Sequence, residues 1–296
     1  MSGDGATRAW TSWGGDPGEV DDERIARSAR SGRRKRRIGV ALAVLVGLAA
    51  VSAVVEVARS EPELAVANHL ETADYYRDAE PLGTPPAAPE GKGGYEFMGL
   101  QGDGTGHPIA YDPCVPVRYV VRPDGAPEGG DALLRAAIAE VSRATGLIFT
   151  DHGTSSEVPS AQREIYEIDY LVFRPVLIAW SDEREAPDLT GDTAGYAGSG
   201  YLEGNAWSPE APGTRRYVTG QVVLDREDID AMLLESHGRK HVRGLILHEL
   251  GHLVGLDHVH DPSQLMQRYL DDGITEFRDG DLRGLHRLGS GHCFIA

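Results

Sequence analysis

The chain has 296 residues, room for one or two domains, and a formal net charge of −17. A chain this acidic lacks the clustered cations that phosphate contacts need, so nucleic acid is excluded as a partner class. The charge is uneven: residues 1–37 hold nine Lys/Arg against six Asp/Glu, or +3, which leaves −20 for the remainder. That first stretch, rich in Gly, Ser, Asp and Arg, reads as a disordered cytoplasmic tail. Residues 38–55, IGVALAVLVGLAAVSAVV, carry no charge and follow directly on RRKRR at 33–37. At helical rise they span about 27 Å, enough for a bilayer core. The positive-inside rule then puts the N-terminus in the cytoplasm and the rest outside, as a single-pass membrane protein. The competing reading is a signal peptide cleaved near Val51-Ser52-Ala53, which would release a secreted protein. Residues 56–107 read as an extracytoplasmic stalk, because EPLGTPPAAPEGKGG at 80–94 has linker composition.

From 108 onward the pattern is that of a folded domain. VPVRYVV (115–121) reads as a strand, DALLRAAIAEVSRATG (131–146) as a helix ended by glycine, and LIFTD (147–151) as a short strand. EIYEIDYLV (164–172) and VLIAWSD (176–182) supply further strands, the second apolar enough to be central. GYAGSGYL (195–202) reads as a glycine-rich edge strand and YVTGQVVLD (217–225) as another strand, before helices at about 239–255 and 279–288.

The chemistry concentrates in HELGHLVGLDH at 248–258. His248 and His252 are four apart, so a helix stacks them on one face, where two imidazoles reach one small cation. Gly255 suits a helix end, and a chain that turns back there brings His258 in as a third nitrogen. Three histidines with an open position are the coordination of a catalytic zinc. Glu249 stands beside it as the carboxylate that takes a proton from water and passes it to a leaving amine. A solvated helix face with unrelated histidines is the bland alternative, and the fixed offsets of the glycine and the third histidine disfavour it.

The pattern H-E-x-x-H-x-x-G-x-x-H is the signature of the metzincin metallopeptidases, and the sequence resembles their matrixin branch. Met266, in HDPSQLMQRY, stands at the position of the methionine turn that supports the metal from below. GDLRGLHRLG (280–289) is similar to the last matrixin helix and VLIAWSDE (176–183) to a central strand, so the likeness covers roughly 108–296. The resemblance implies an α+β metzincin-like fold: a twisted mixed sheet of about five strands with three helices, here preceded by the membrane helix. It implies a zinc endopeptidase whose peptide substrate adds to the edge strand at Gly198, Ser199 and Gly200; a flexible glycine loop is the equal alternative. It implies one catalytic Zn2+. The loop REAPDLTGDTAGYAG has no histidine for a second zinc, and Asp188 and Asp192 are weak candidates for Ca2+ against an ordinary Asp/Gly turn. The proline that usually follows the turn methionine is missing from Met266-Gln267-Arg268-Tyr269. Asp281 matches a family aspartate, and the reading preferred for it is a helix N-terminal carboxylate favoured by the dipole.

Cys114 and Cys293 are the two cysteines, and outside the membrane they read as a disulfide bracketing the domain. The alternative, Cys114 as a thiolate capping the zinc, is disfavoured because DPCVPV does not match the matrixin switch motif. Two rival functions stand beside the peptidase: an inactive cell-surface binding module, and a zinc hydrolase of a non-peptide amide.

Overall fold

The computed structural model describes residues 80–167, 172–191, 193–204, 213–269 and 273–294. The tail expected at 1–37 and the apolar segment 38–55 lie outside these residues, as does Asp192. Among the described residues no helix is long and apolar enough to cross a membrane.

The described residues form ten strands and four helices in the order β1 (Glu96–Phe97), β2 (Ala110–Tyr111), β3 (Val117–Arg122), α1 (Gly130–Thr145), β4 (Phe149–Thr154), β5 (Tyr166–Glu167), β6 (Val172–Phe173), β7 (Val176–Ser181), β8 (Gly195–Glu203), β9 (Arg215–Asp225), α2 (Arg226–Leu233), α3 (Gly238–Val254), β10 (Leu256–Asp257) and α4 (Asp279–Gly289). The main sheet is mixed and has six strands rather than about five. β4, β3, β7 and β9 run parallel, with Tyr119 opposite Val176 and Ile178 opposite Val222. β8 closes one side antiparallel to β9, from Gly195 opposite Leu224 to Glu203 opposite Arg215. The sixth strand is the two-residue β2, parallel to the start of β9. It is too short for periodicity to register.

β7 is the central strand. Val176, Ile178 and Trp180 join the main core, while Leu177 and Ala179 are buried on the opposite face, as a period of two requires. α1 and α3 cover one side. α1 contributes Leu134, Ala137, Ile138 and Val141, and α3 contributes Val242, Leu245, Ile246, Leu250 and Leu253. A fourth helix joins the three expected. α2 begins directly where β9 ends, its start fixed by Asp225, whose carboxylate accepts from the amides of Glu227 and Asp228.

The expected stalk is corrected from residue 80 onward, where the chain packs along the domain. Leu82 N–H donates to Pro113 O at 2.9 Å, and Gly94 N–H donates to the Asp261 carboxylate at 3.2 Å. β1 pairs antiparallel with β10, and Met98 N–H donates to Gly255 O. Arg283 of α4 donates to the carbonyls of Gly91 and Gly93. The glycines that suggest a linker serve close approach instead: a Cβ on Gly91 would collide with the Asp279 carboxylate, and one on Gly93 with Gln264.

Candidate metal centre

α3 presents His248 and His252 one turn apart, both buried. The helix stops at Gly255, at φ 120°, a backbone conformation that side chains other than glycine strain to adopt. β10 then turns the chain back and delivers His258, as the spacing predicts. The three Nε2 atoms converge: His248 to His258 is 3.0 Å, His248 to His252 is 3.1 Å and His252 to His258 is 3.2 Å.

The chemistry of this donor set tests whether a metal fits. His248 Nδ1–H donates to Leu265 O at 2.9 Å, and His252 Nδ1–H donates to Leu256 O at 2.8 Å. The carbonyls accept only, so each ring carries its proton on Nδ1 and its lone pair on Nε2. Two bare lone pairs 3.1 Å apart cannot hydrogen-bond to each other; they need a shared Lewis acid. Burial, reinforced for His248 by the His252 ring, lowers the pKa of His248 to about 3 and that of His252 to about 4. Burial and then the two neighbouring rings lower His258 to about 2. All three are therefore neutral ligands at physiological pH. Tetrahedral zinc with bonds of about 2.0–2.1 Å spaces its nitrogens about 3.3 Å apart, close to what is found. The residues fit a single zinc ion.

Glu249 lies on the same helix turn, 4% exposed, and its Oε2 has no hydrogen-bond partner among the described residues. Burial raises its pKa to about 8. Across from it stands Gly195, the first residue of β8, where a Cβ would lie 3.1 Å from Glu249 Cγ. The expected substrate residues sit further along the strand. Ser199 is a core residue: its hydroxyl donates to Leu253 O at 2.7 Å and meets Tyr111 Oη at 2.8 Å. Gly198 and Gly200 flank it, and a Cβ on Gly200 would press on Ile165. The end of the edge strand beside the metal centre is thus Gly195–Tyr196–Ala197, and its sequence signal is the glycine at its start.

Met266 is buried beneath α3, against Gly251, where a Cβ would come within 2.6 Å of the thioether sulfur. Its turn is held from α4. Asp281, fully buried, accepts from Leu265 N–H at 2.8 Å, Met266 N–H at 3.3 Å and Arg278 N–H at 2.9 Å. The expected helix-start role is present, and the bonds to the methionine turn add a second one. Gln264 completes the brace, its Oε1 accepting from Gly280 N–H at 2.8 Å. Its signal was its place between Asp261 and Met266, too weak to read without the fold. Tyr269 is 79% exposed.

The loop leading into β8 is anchored by charge and by apolar packing. Arg122 makes a two-pronged bond to Glu185, at 2.6 and 2.9 Å. Asp182 pairs with Arg184 at 2.9 Å and with Arg226. Ala186 and Leu189 pack on Tyr196 and Val223. Asp188, the remaining calcium candidate, lies on this loop.

Cys114 and Cys293 form a disulfide with Cα atoms 5.4 Å apart. Their sulfurs and the Asp112 carboxylate are close enough to suggest a second metal cluster, but sulfurs bonded to each other are not thiolate ligands. A search of curated proteins finds no match to the chain. Residues 186–289, from the loop before β8 through α4, match the family model of the matrixins, so this part of the chain, with a histidine triad that could hold a metal ion, is similar to the matrixin zinc metallopeptidases.

Proposed function

We propose that the protein is a zinc-dependent endopeptidase held on the outer side of a membrane by residues 38–55. The observation that carries the enzymatic part is the convergence of three imidazole Nε2 atoms beside the buried Glu249, whose Oε2 has no hydrogen-bond partner among the described residues. His248, His252 and His258 would hold the ion. Bound there, zinc supplies Lewis acidity toward the scissile carbonyl and the attacking water.

The chain's own groups do the rest. With the charge of a bound zinc favouring its ionised form against the burial that raises its pKa, Glu249 Oε2 would be the open acceptor for a proton of the water as the water oxygen bonds to the carbonyl carbon. When the carbon–nitrogen bond breaks, Glu249 returns that proton to the departing amine. β8 is bonded along one side by β9, and its Gly195 end adjoins Glu249. An extended peptide laid on its other side gains main-chain hydrogen bonds and brings a peptide bond to the carboxylate. Met266, Asp281 and Gln264 hold the floor and touch no substrate. The disulfide supports an oxidising, extracytoplasmic location, as does the apolar segment behind RRKRR.

The test is hydrolysis of an unbiased peptide mixture by the zinc-loaded chain beside a Glu249→Ala variant. Wild-type cleavage that falls by about 10²–10⁴ in the variant, with one zinc retained by each, is the expected result. Zinc bound by both and cleavage by neither would instead favour a binding module on the same fold.

A further inference from the structure

The three histidines of the metal centre are not held alike. His248 and His252 ride on α3, a long helix packed into the core. His258 follows β10, a strand of two residues. Among the described residues β10 has one strand partner, β1, with Leu256 opposite Phe97 and Asp257 opposite Glu96. A ribbon of two strands has little stability of its own, so what holds β1 decides how firmly β10 is held.

β1 belongs to the strap that packs along the domain from residue 80, and the strap bonds the chain on both sides of His258. On one side β1 pairs with β10, and Met98 N–H donates to Gly255 O at 3.0 Å. Leu256, the residue opposite Phe97, carries the carbonyl that accepts His252 Nδ1–H. On the other side Gly94 N–H donates to the Asp261 carboxylate at 3.2 Å. Gly94 also lies against Val259, where a Cβ on it would stand 2.9 Å from Val259 Cγ2. The methionine turn adds one bond, from Val259 N–H to Met266 O at 2.9 Å.

α4 grips the strap in turn. His286 Nδ1–H donates to Pro86 O at 2.9 Å, and the Arg287 guanidinium stands 5.2 Å from the centre of the Phe97 ring. Arg283 takes hold next to Gly94: its Nη1 donates to Gly91 O and its Nη2 to Gly93 O. The same guanidinium stands over the Tyr95 ring, 5.9 Å from its centre. A planar fork holds two carbonyls and a ring in one fixed geometry, which a single ammonium cannot do.

We infer that Arg283 is a positioning residue for the third metal ligand. It clamps the strap to α4, so that β1 and Gly94 hold the chain on either side of His258 and set its Nε2 against those of His248 and His252. Arg283 acts only through the strap and does no chemistry. The inference rests on the zinc reading of the triad. It makes the strap, which precedes the stretch 186–289 that matches the matrixins, part of the metal centre.

The test compares the full chain with its Arg283→Ala and Arg283→Lys variants. Zinc affinity is read by chelator competition, and hydrogen exchange is read on the metal-free proteins. Arg283→Ala should bind zinc about tenfold more weakly. Its exchange at 94–98 and 256–259 should quicken about fivefold or more, while the middle of α1 keeps its protection and reports intact folding. Arg283→Lys keeps the charge and a donor for one carbonyl, and should recover part of both losses. Unchanged zinc affinity in a folded Arg283→Ala overturns the inference, whether or not the strap loosens. Weaker zinc binding without faster exchange at 256–259 also overturns it, because the effect would not pass through the His258 segment. Should Arg283→Ala lose the α1 protection, Arg283→Lys decides: weaker zinc binding with α1 protected supports the clamp, and wild-type affinity overturns it. A wild type that binds no zinc overturns the metal reading itself, and exchange at 256–259 still shows whether Arg283 holds that segment.

Discussion

At the scale of single residues, the metal centre shows how few groups the sequence has to specify and how many it has to support. His248, His252, His258 and Glu249 follow from helix period and one turn. Their orientation depends on carbonyl acceptors, Leu265 O and Leu256 O, that no side-chain pattern encodes. Leu265 O is itself placed by Asp281, which takes the amides on either side of it. Replacing Asp281 with Ala strands those two buried donors and the Arg278 N–H, at about 1–3 kcal/mol for each buried group left unpaired. The expected outcome is a loss of about 3 kcal/mol in urea unfolding together with weaker zinc binding by chelator competition, since the carbonyl that orients His248 moves with the turn. Stability lost with zinc affinity unchanged would show that Asp281 caps α4 and does nothing for the metal.

At the scale of elements, the helices and long strands were legible because their apolar periods are long. α1, α3, β7 and β9 all stand within a few residues of where periodicity puts them. What periodicity could not show were pieces too short to repeat, β1, β2, β10 and the eight-residue α2, and a strap whose Gly/Pro composition imitates a linker. The loop before β8 was another blind spot, because an Asp/Gly-rich run says nothing about which arginines it will meet. Its lock has a pH signature. The Arg122 hydrogen bonds hold Glu185 below its ordinary 4.5, and Arg184 first, then neighbouring amides and Arg226, hold Asp182 below 3.8. A carboxylate with a depressed folded pKa adds stability that is fully present above its unfolded pKa and disappears as pH falls through the folded one. The stability that this lock adds to the urea midpoint should therefore be constant from about pH 7 to pH 5 and drop below about pH 4, on top of the loss that the three buried neutral histidines bring as pH falls below about 6.5. Glu185→Gln should flatten part of that drop; an unchanged acid profile would show that the lock contributes nothing.

At the scale of the whole molecule, the disulfide joins the start of the sheet to the tail that follows α4, across a separation of 179 residues. In the chain-entropy account, closing so long a loop stabilises the fold by about 5 kcal/mol, chiefly by restricting the unfolded chain. That mechanism makes a separable prediction, because the bond acts on the unfolded state and the metal centre is braced independently. α4 keeps Leu285 and Leu288 in the core and Asp281 on the methionine turn whether or not the tail is clasped. The Cys114→Ser, Cys293→Ser variant should lose about 3–5 kcal/mol in unfolding, yet bind one zinc per chain with unaltered affinity below its melting temperature. It should also retain its peptidase rate there. The unreduced wild type should show no free thiol. One reactive thiol per chain would revive Cys114 as a metal-capping thiolate, and zinc lost along with the clasp would make the tail part of the metal centre.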